Sequence, residues 1–329
     1  MNWDTHLEAA EAEVTSDPGE CNLPSLTTAR ALQRKSFPPV SWLVQDLLPE
    51  GLTLLAGKPK LGKSWLALQL AYGIAAGTEV LGRPAEQGHV LYTALEDNQR
   101  RLKDRLEKSA PPRAVWPDKL CLDVEWPRLD EGGLEQFATW VDNNPDARLV
   151  IIDTLATVRP SASLRESQYQ GDYAALRGLH RLANKAAISI VVIHHVRKAD
   201  AEDAFDTVSG STGLTGAADT TLILTKTTDG TVLYGRGRDL PETERALDFD
   251  PTTCRWSDLG RPSDVFGSET RIAIRAALTA GKQNPTEIAE HGDLDYNLCA
   301  KTLQRMAEGG EIEKGGRGRY RLRPDPFVQ

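Results

Sequence analysis

Gly57-Lys58-Pro59-Lys60-Leu61-Gly62-Lys63-Ser64 fits the G-x-x-x-x-G-K-[ST] phosphate-binding loop. No other stretch constrains the fold as strongly, because such a loop works only between a buried strand and a helix. Thr53, Leu54, Leu55 and Ala56 read as the strand before it, and Trp65 to Ala76, rich in Leu and Ala, reads as the helix after it. The glycines let backbone N–H groups curl round phosphate oxygens, and the helix N-terminus adds a positive dipole. The segment from Gly57 through Ser64 to Trp65 is therefore the expected ATP-binding stretch. Lys63 is expected to reach the β/γ-phosphates and the Ser64 hydroxyl to bind Mg2+.

The middle of the chain alternates two kinds of pattern. Apolar runs at Leu52–Ala56, Val90–Leu95, Leu149–Asp153, Ile188–Ile193 and Thr220–Leu224 read as strands. Helical patterns lie between most of them, at Gln99–Lys108, Leu134–Asn143 and Tyr173–Ala186. That order predicts an α/β fold with a mainly parallel sheet. Thr231–Tyr234 and Ala246–Phe249 read as late antiparallel strands.

Strand ends carry the candidate chemistry. Leu149-Val150-Ile151-Ile152-Asp153 is an apolar strand closed by an acid about ninety residues after the loop, the expected place of an Mg2+-shell carboxylate. Hydrolysis also needs a group that deprotonates water. Thr154, not a second acid, follows Asp153, so Glu96 at the tip of the strand His89–Leu95 is the candidate base; Glu96 or Asp97 could instead cap the next helix. His194-His195 closes another strand, and alternation lets only one face the nucleotide, as a γ-phosphate sensor or as a core histidine. Arg236-Gly237-Arg238 follows the strand Thr231–Tyr234 and suits phosphate recognition, or a turn salt-bridged to Asp239. Two long loops leave the same predicted sheet edge. One carries Arg159 and Arg165 with Tyr169, the other Arg197 and Lys198 with Phe205.

Composition narrows the setting. The chain has 329 residues, room for one large domain and a small one. A net charge of −8 argues against nucleic-acid binding by the surface as a whole, while leaving local basic patches open. Cys21, Cys121, Cys254 and Cys299 lie too far apart for a zinc pair or a disulfide framework, which favours a reducing, cytoplasmic compartment. No apolar run approaches the ~20 residues of a membrane span, so no membrane partner is expected. Residues 1–36 form an acidic segment, expected to be mobile or to dock.

The pattern changes after a Gly/Pro/Ser stretch, giving an expected nucleotide-binding domain at 37–259, a linker at 260–268 and a small domain at 269–325. Ile272, Ile274, Ala277 and Leu278 suggest one helix, Asn284-Pro285-Thr286-Glu287 opens a second, and Leu298, Cys299, Leu303 and Met306 stripe a third. Glu311–Lys314 and Tyr320–Leu322 read as a hairpin. Three helices and a hairpin describe a winged helix, which binds either duplex DNA or protein. Asn297, Lys301 and Arg305 lie on the exposed side of the third helix, and Lys314, Arg317 and Arg319 on the hairpin, as candidate DNA contacts.

Taken in order, Trp42 to Gly51, the phosphate loop, Ala94-Leu95-Glu96-Asp97, Ile151-Ile152-Asp153-Thr154, Val192-Ile193-His194-His195-Val196-Arg197-Lys198, Gly210-Ser211-Thr212-Gly213 and Gly235-Arg236-Gly237-Arg238-Asp239 resemble the RepA-type helicases of plasmids and mobile elements, a branch of the RecA-like hexameric ATPases. The resemblance covers about Pro38 to Leu259. It implies a homo-oligomeric ring, hexameric in that family, with ATP between subunits. It also implies Glu96 as base, His195 as sensor, Arg236 and Arg238 acting in trans, and the two loops gripping single-stranded DNA. A loader, initiator or primase would be a separate protein. Two classes of function follow: an ATP-driven helicase or translocase, or an ATP-switched oligomeric DNA-binding regulator or loader that does not unwind.

Overall fold

The computed structural model describes residues 27–160, 168–196, 205, 212–227, 230–265, 269–308 and 311–322. Residues up to Pro39 form one unit and those from Val40 a second. Of the first, helix α1 (Ala29–Gln33) is described, capped by the Thr28 hydroxyl, which accepts from the Ala31 amide.

The second unit is built on a nine-stranded sheet. A short pair, β1 (Trp42–Val44) and β2 (Leu48–Pro49), leads into β3 (Gly51–Gly57). Then come α2 (Lys63–Ala76), β4 (His89–Ala94), α3 (Gln99–Ser109), β5 (Leu120–Asp123), α4 (Leu134–Asn143), β6 (Ala147–Asp153), α5 (Leu155–Val158), α6 (Gln168–Ala186) and β7 (Ser189–His195). They are followed by α7 (Thr212–Ala217), β8 (Thr220–Lys226), β9 (Thr231–Gly237), β10 (Thr243–Asp250) and β11 (Arg255–Gly260). The strand order is β11-β10-β9-β8-β3-β7-β6-β4-β5. The six strands from β8 to β5 in that order run parallel, and β9, β10 and β11 are added antiparallel.

Burial explains why the central strands read as unbroken apolar runs. Every residue of β3 is buried, because helices cover both sheet faces. Leu55 points into one apolar layer with Leu66 and Leu70 of α2 and Leu102 and Leu106 of α3. Leu52, Leu54 and Ala56 point into the other, with Phe137 of α4, Leu176 and Leu179 of α6, and Leu214 of α7.

The structure adds elements the pattern did not announce. β5 is short and mostly exposed at the sheet edge, so its residues carry little apolar signal. α6 begins at Gln168, five residues ahead of the expected Tyr173, which shortens the first predicted loop. β11 runs through Leu259 to Gly260, and α8 (Pro262–Val265) occupies the middle of the expected linker. Beyond it lie three helices, α9 (Glu269–Thr279), α10 (Pro285–His291) and α11 (Tyr296–Glu308), and an antiparallel pair, β12 (Ile312–Lys314) and β13 (Tyr320–Leu322). They share an apolar cluster of their own, with Ile274, Ile288, Leu303 and Met306 at its centre. Arg275 ties this module to α8 through Asp264, 2.7 Å away, while also holding Glu311 at 3.1 Å.

Candidate active site

The parallel register brings four strand ends to one place. Gly57 at the end of β3 pairs with His195 of β7, and Asp153 of β6 pairs with Ala94 of β4. The phosphate loop springs from this edge. Gly57 and Gly62 both have positive φ, 156° and 95°. A Cβ on Gly57 would come within 2.4 Å of the Leu224 carbonyl, and one on Gly62 within 2.8 Å of the Trp256 ring. Both positions are therefore closed to other residues by contact as well as by dihedral. Lys63, the first residue of α2, is buried and donates to the Gly57 and Lys58 carbonyls at 2.7 and 2.9 Å. Burial lowers its pKa to about 8, against the raising influence of Asp153 and Glu96.

Asp153 is buried beside the loop. Tyr92, wholly buried on β4, donates its hydroxyl to Asp153 Oδ2 at 2.8 Å, and the Ser64 side chain bonds the same carboxylate. Burial raises the pKa of Asp153, and these two hydrogen bonds oppose the rise. Glu96, just past the end of β4, accepts from Thr154 Oγ1 at 3.1 Å. His195 Nε2 lies 3.7 Å from the same carboxylate oxygen, and His195 Nδ1 lies 3.1 Å from Lys63 Nζ. An ammonium only donates, so Nδ1 is the accepting nitrogen and the ring N–H sits on the Glu96 side. Lys63, His195 and Glu96 thus form one continuous chain. Neither Glu96 nor Asp97 caps α3; Asn98 does, accepting from the Arg101 amide. Asp97 instead pairs with Arg101 and Arg105. His194 falls on the other side of β7, where burial first, then Arg159 and His195, lower its pKa to about 4.

The donor set fits Mg2+: a hydroxyl and a carboxylate side by side, with phosphate oxygens expected to complete the shell. Among the described residues no group of three or more His, Cys, Asp or Glu could hold a metal unaided. The cleft beside the loop encloses about 480 Å3. Trp65, Phe249 and Trp256 give it an aromatic side, with Phe249 and Trp256 ring centroids 4.9 Å apart. Trp256 Nε1 donates to the Gly62 carbonyl at 3.2 Å, and its backbone exchanges two hydrogen bonds with the Gln69 amide of α2. Tyr92 and Trp256 are the residues that sequence reasoning missed. Each reads as an ordinary core aromatic, and only a strand pairing or a contact across 194 residues reveals its neighbour.

Arg236 and Arg238 are not brought to this chain's own phosphate loop. β9 runs antiparallel to β8, with Arg236 opposite Thr221, so both arginines lie at the far edge of the sheet. Arg236 pairs with Glu242 at 2.7 Å and stacks 4.1 Å from the centre of the Phe205 ring. Arg238 pairs at 2.8 Å with Asp219, not with the adjacent Asp239. Phe205, one of the two loop aromatics, is half-buried against the core under Arg236. Arg159 is half-buried near His194, and Arg165, Arg197 and Lys198 lie outside the described residues. Asn297, Lys301 and Arg305 are exposed on α11, Lys314 and Arg319 are exposed on the hairpin, and Arg317 lies in the tight turn Gly316–Gly318. No helix among the described residues is long and apolar enough to cross a membrane.

Residues 17–201 match the family model AAA_25, described as an AAA domain. No curated protein matches the sequence. Among solved structures, one isolated ATPase domain is similar at 17% identity and a TM-score of 0.51, over 64% of this chain and 85% of that one. A DnaB-like replicative helicase, solved for its interactions with primase, is similar at 16% identity and a TM-score of 0.52, over 77% of this chain and 70% of that one. At such identities the likeness is one of fold, and it is the RecA-like P-loop core. With the family match spanning more than half of its length, the chain belongs to the AAA_25 family of AAA domains.

Proposed function

We propose that this chain is an ATP-hydrolysing, ring-forming DNA helicase or translocase that serves replication of a plasmid, phage or other mobile element. The observation that carries the reading is the Lys63–His195–Glu96 chain beside the phosphate loop. A switch that only binds ATP needs the loop and the Asp153 carboxylate. A half-exposed carboxylate, anchored by Thr154 and linked through a histidine to the phosphate lysine, is what water activation needs.

In this reading the triphosphate lies on the loop amides, and Lys63 exchanges its carbonyl partners for phosphate oxygens. Ser64 and Asp153 hold Mg2+, which when bound neutralises charge on those oxygens. Glu96 takes the proton of the attacking water, and His195 registers the γ-phosphate. Arg236 and Arg238, at the sheet edge remote from their own loop, serve a second copy of the chain, which is why a homo-oligomeric ring, hexameric by resemblance, is part of the proposal. The segments carrying Arg159, Arg165, Arg197 and Lys198 are assigned to single-stranded DNA in the channel. The C-terminal module is assigned as a winged helix that meets duplex DNA through Asn297, Lys301, Arg305, Lys314, Arg317 and Arg319. The DnaB-like relative was solved for its interactions with primase; here a separate loader, initiator or primase partner is proposed, in the cytoplasm.

The test is strand displacement on a forked DNA, with ATP hydrolysis followed in parallel, for wild type and Glu96→Gln. The expected outcome is ATP-dependent displacement by wild type and none by Glu96→Gln, which still binds ATP. Hydrolysis without displacement on any fork would move the assignment to an ATP-switched regulator or loader. Normal turnover by Glu96→Gln would remove it as the base.

A further inference from the structure

Asp219 sits where three parts of the core meet. It ends the connection from α7 and precedes β8, and its side chain is only 11% exposed. It is joined to β3 by two reciprocal bonds: its amide donates to the Leu52 carbonyl at 2.8 Å, and its Oδ2 accepts from the Leu52 amide at 2.9 Å. It is joined to Arg238 in the same doubled way. The Arg238 amide donates to the Asp219 carbonyl at 2.8 Å, and the guanidinium donates to Oδ1 at 2.8 Å. His180 Nε2 of α6 lies 3.0 Å from that same Oδ1. A carboxylate only accepts, so all three side-chain approaches are satisfied by donors.

Two glycines are fitted to this residue. A Cβ on Gly51 would lie 2.7 Å from Asp219 Oδ2, and one on Gly237 would lie 2.7 Å from the Asp219 carbonyl. Both glycines clear space for Asp219, so the middle residue of Arg236-Gly237-Arg238 has a stated job. The Arg238 side chain is 61% exposed, held at its root by a buried acid with the rest of the guanidinium presented outward. A flexible arginine fixed in this way is pre-oriented for a charge-assisted contact with an incoming anion.

We infer that Asp219 is a positioning residue for Arg238: it aims the guanidinium at the ATP bound by a neighbouring copy, and ties that aim to β3, which ends in the phosphate loop, and to α6, which follows the segment proposed to meet DNA. The inference rests on the trans-acting reading of Arg238, and the experiment separates the two.

The experiment mixes subunits of the full chain. Lys63→Ala subunits cannot hydrolyse ATP but still supply Arg238 to a neighbour. Asp219→Asn preserves shape and removes the charge. Alone, it is expected to bind a fluorescent ADP within about twofold of wild type and to lose ATPase turnover by about tenfold or more, the scale of one lost charge-assisted hydrogen bond. Mixed with Lys63→Ala, it is expected to recover turnover, because its intact phosphate loop receives a correctly held Arg238 from its neighbour. A defect confined to the folding of the Asp219→Asn subunit would not be complemented. Recovery with Arg238→Ala but none with Asp219→Asn would overturn the inference and leave the trans reading standing, as would loss of ADP binding. No recovery with either variant, although each binds ADP, would remove the trans reading and the inference with it.

Discussion

At the scale of single residues, the site is held by hydrogen bonds that leave little freedom to the acids. Tyr92 and Ser64 fix Asp153 from two sides, and removing the Tyr92 hydroxyl leaves a buried carboxylate oxygen short of a partner. Tyr92→Phe is expected to destabilise the fold by ~1–3 kcal/mol and to raise the Mg2+ concentration that nucleotide binding requires. A thermal melt and a Mg2+ titration of labelled-nucleotide binding check the two effects. His194 gives a pH signature. Its folded pKa, about 4, is below the ordinary 6.5, so the folded state resists a proton that the unfolded chain accepts. The stability it contributes is present above about pH 6.5 and is lost as pH falls towards 4, on the order of 1–3 kcal/mol. His194→Gln should flatten that part of a Tm-against-pH curve. Lys63, Ser64, Asp153, Glu96 and His195 were legible in the sequence because each closes or opens an apolar strand at a fixed place in an α/β pattern. Tyr92 and Asp219 were not, because their partners are set by strand pairing. Asp219 meets Leu52 across 167 residues.

At the scale of elements, the parallel strands announced themselves by continuous apolar runs, since both of their faces are covered. The late antiparallel edge did not. Arg255-Trp256-Ser257-Asp258-Leu259 alternates charge and bulk and sits beside Gly260 and Pro262, so it read as the approach to a linker. In the fold it is β11, and Trp256 makes it a wall of the nucleotide cleft. The contact is specific enough to test. Trp256→Phe keeps the ring but loses the donor to Gly62, and nucleotide affinity is expected to fall about fivefold, the equivalent of one ordinary hydrogen bond of ~1 kcal/mol. Equilibrium titration of wild type and variant measures it. An unchanged affinity would show that β11 covers the loop without shaping it.

At the scale of the whole molecule, the C-terminal module keeps its own apolar cluster, distinct from the two layers of the core, and Arg275 pairs with Asp264 where it meets α8. Ending the chain after Asp264 is therefore expected to spare ATP hydrolysis and weaken duplex-DNA binding; a gel-shift and an ATPase assay on the shortened chain read the two separately. Loss of hydrolysis would mean that the module supports the core instead of extending it. The core itself has a different dependence on chain length. Trp256 closes on Gly62 from the last strand of the sheet. A chain leaving the ribosome therefore carries its phosphate loop long before it carries the residue that seats on it. A translation product stopped short of β11 would contain every residue of the G-x-x-x-x-G-K-[ST] signature and still lack the finished cradle. ATP thus becomes a ligand only of chains made nearly to full length.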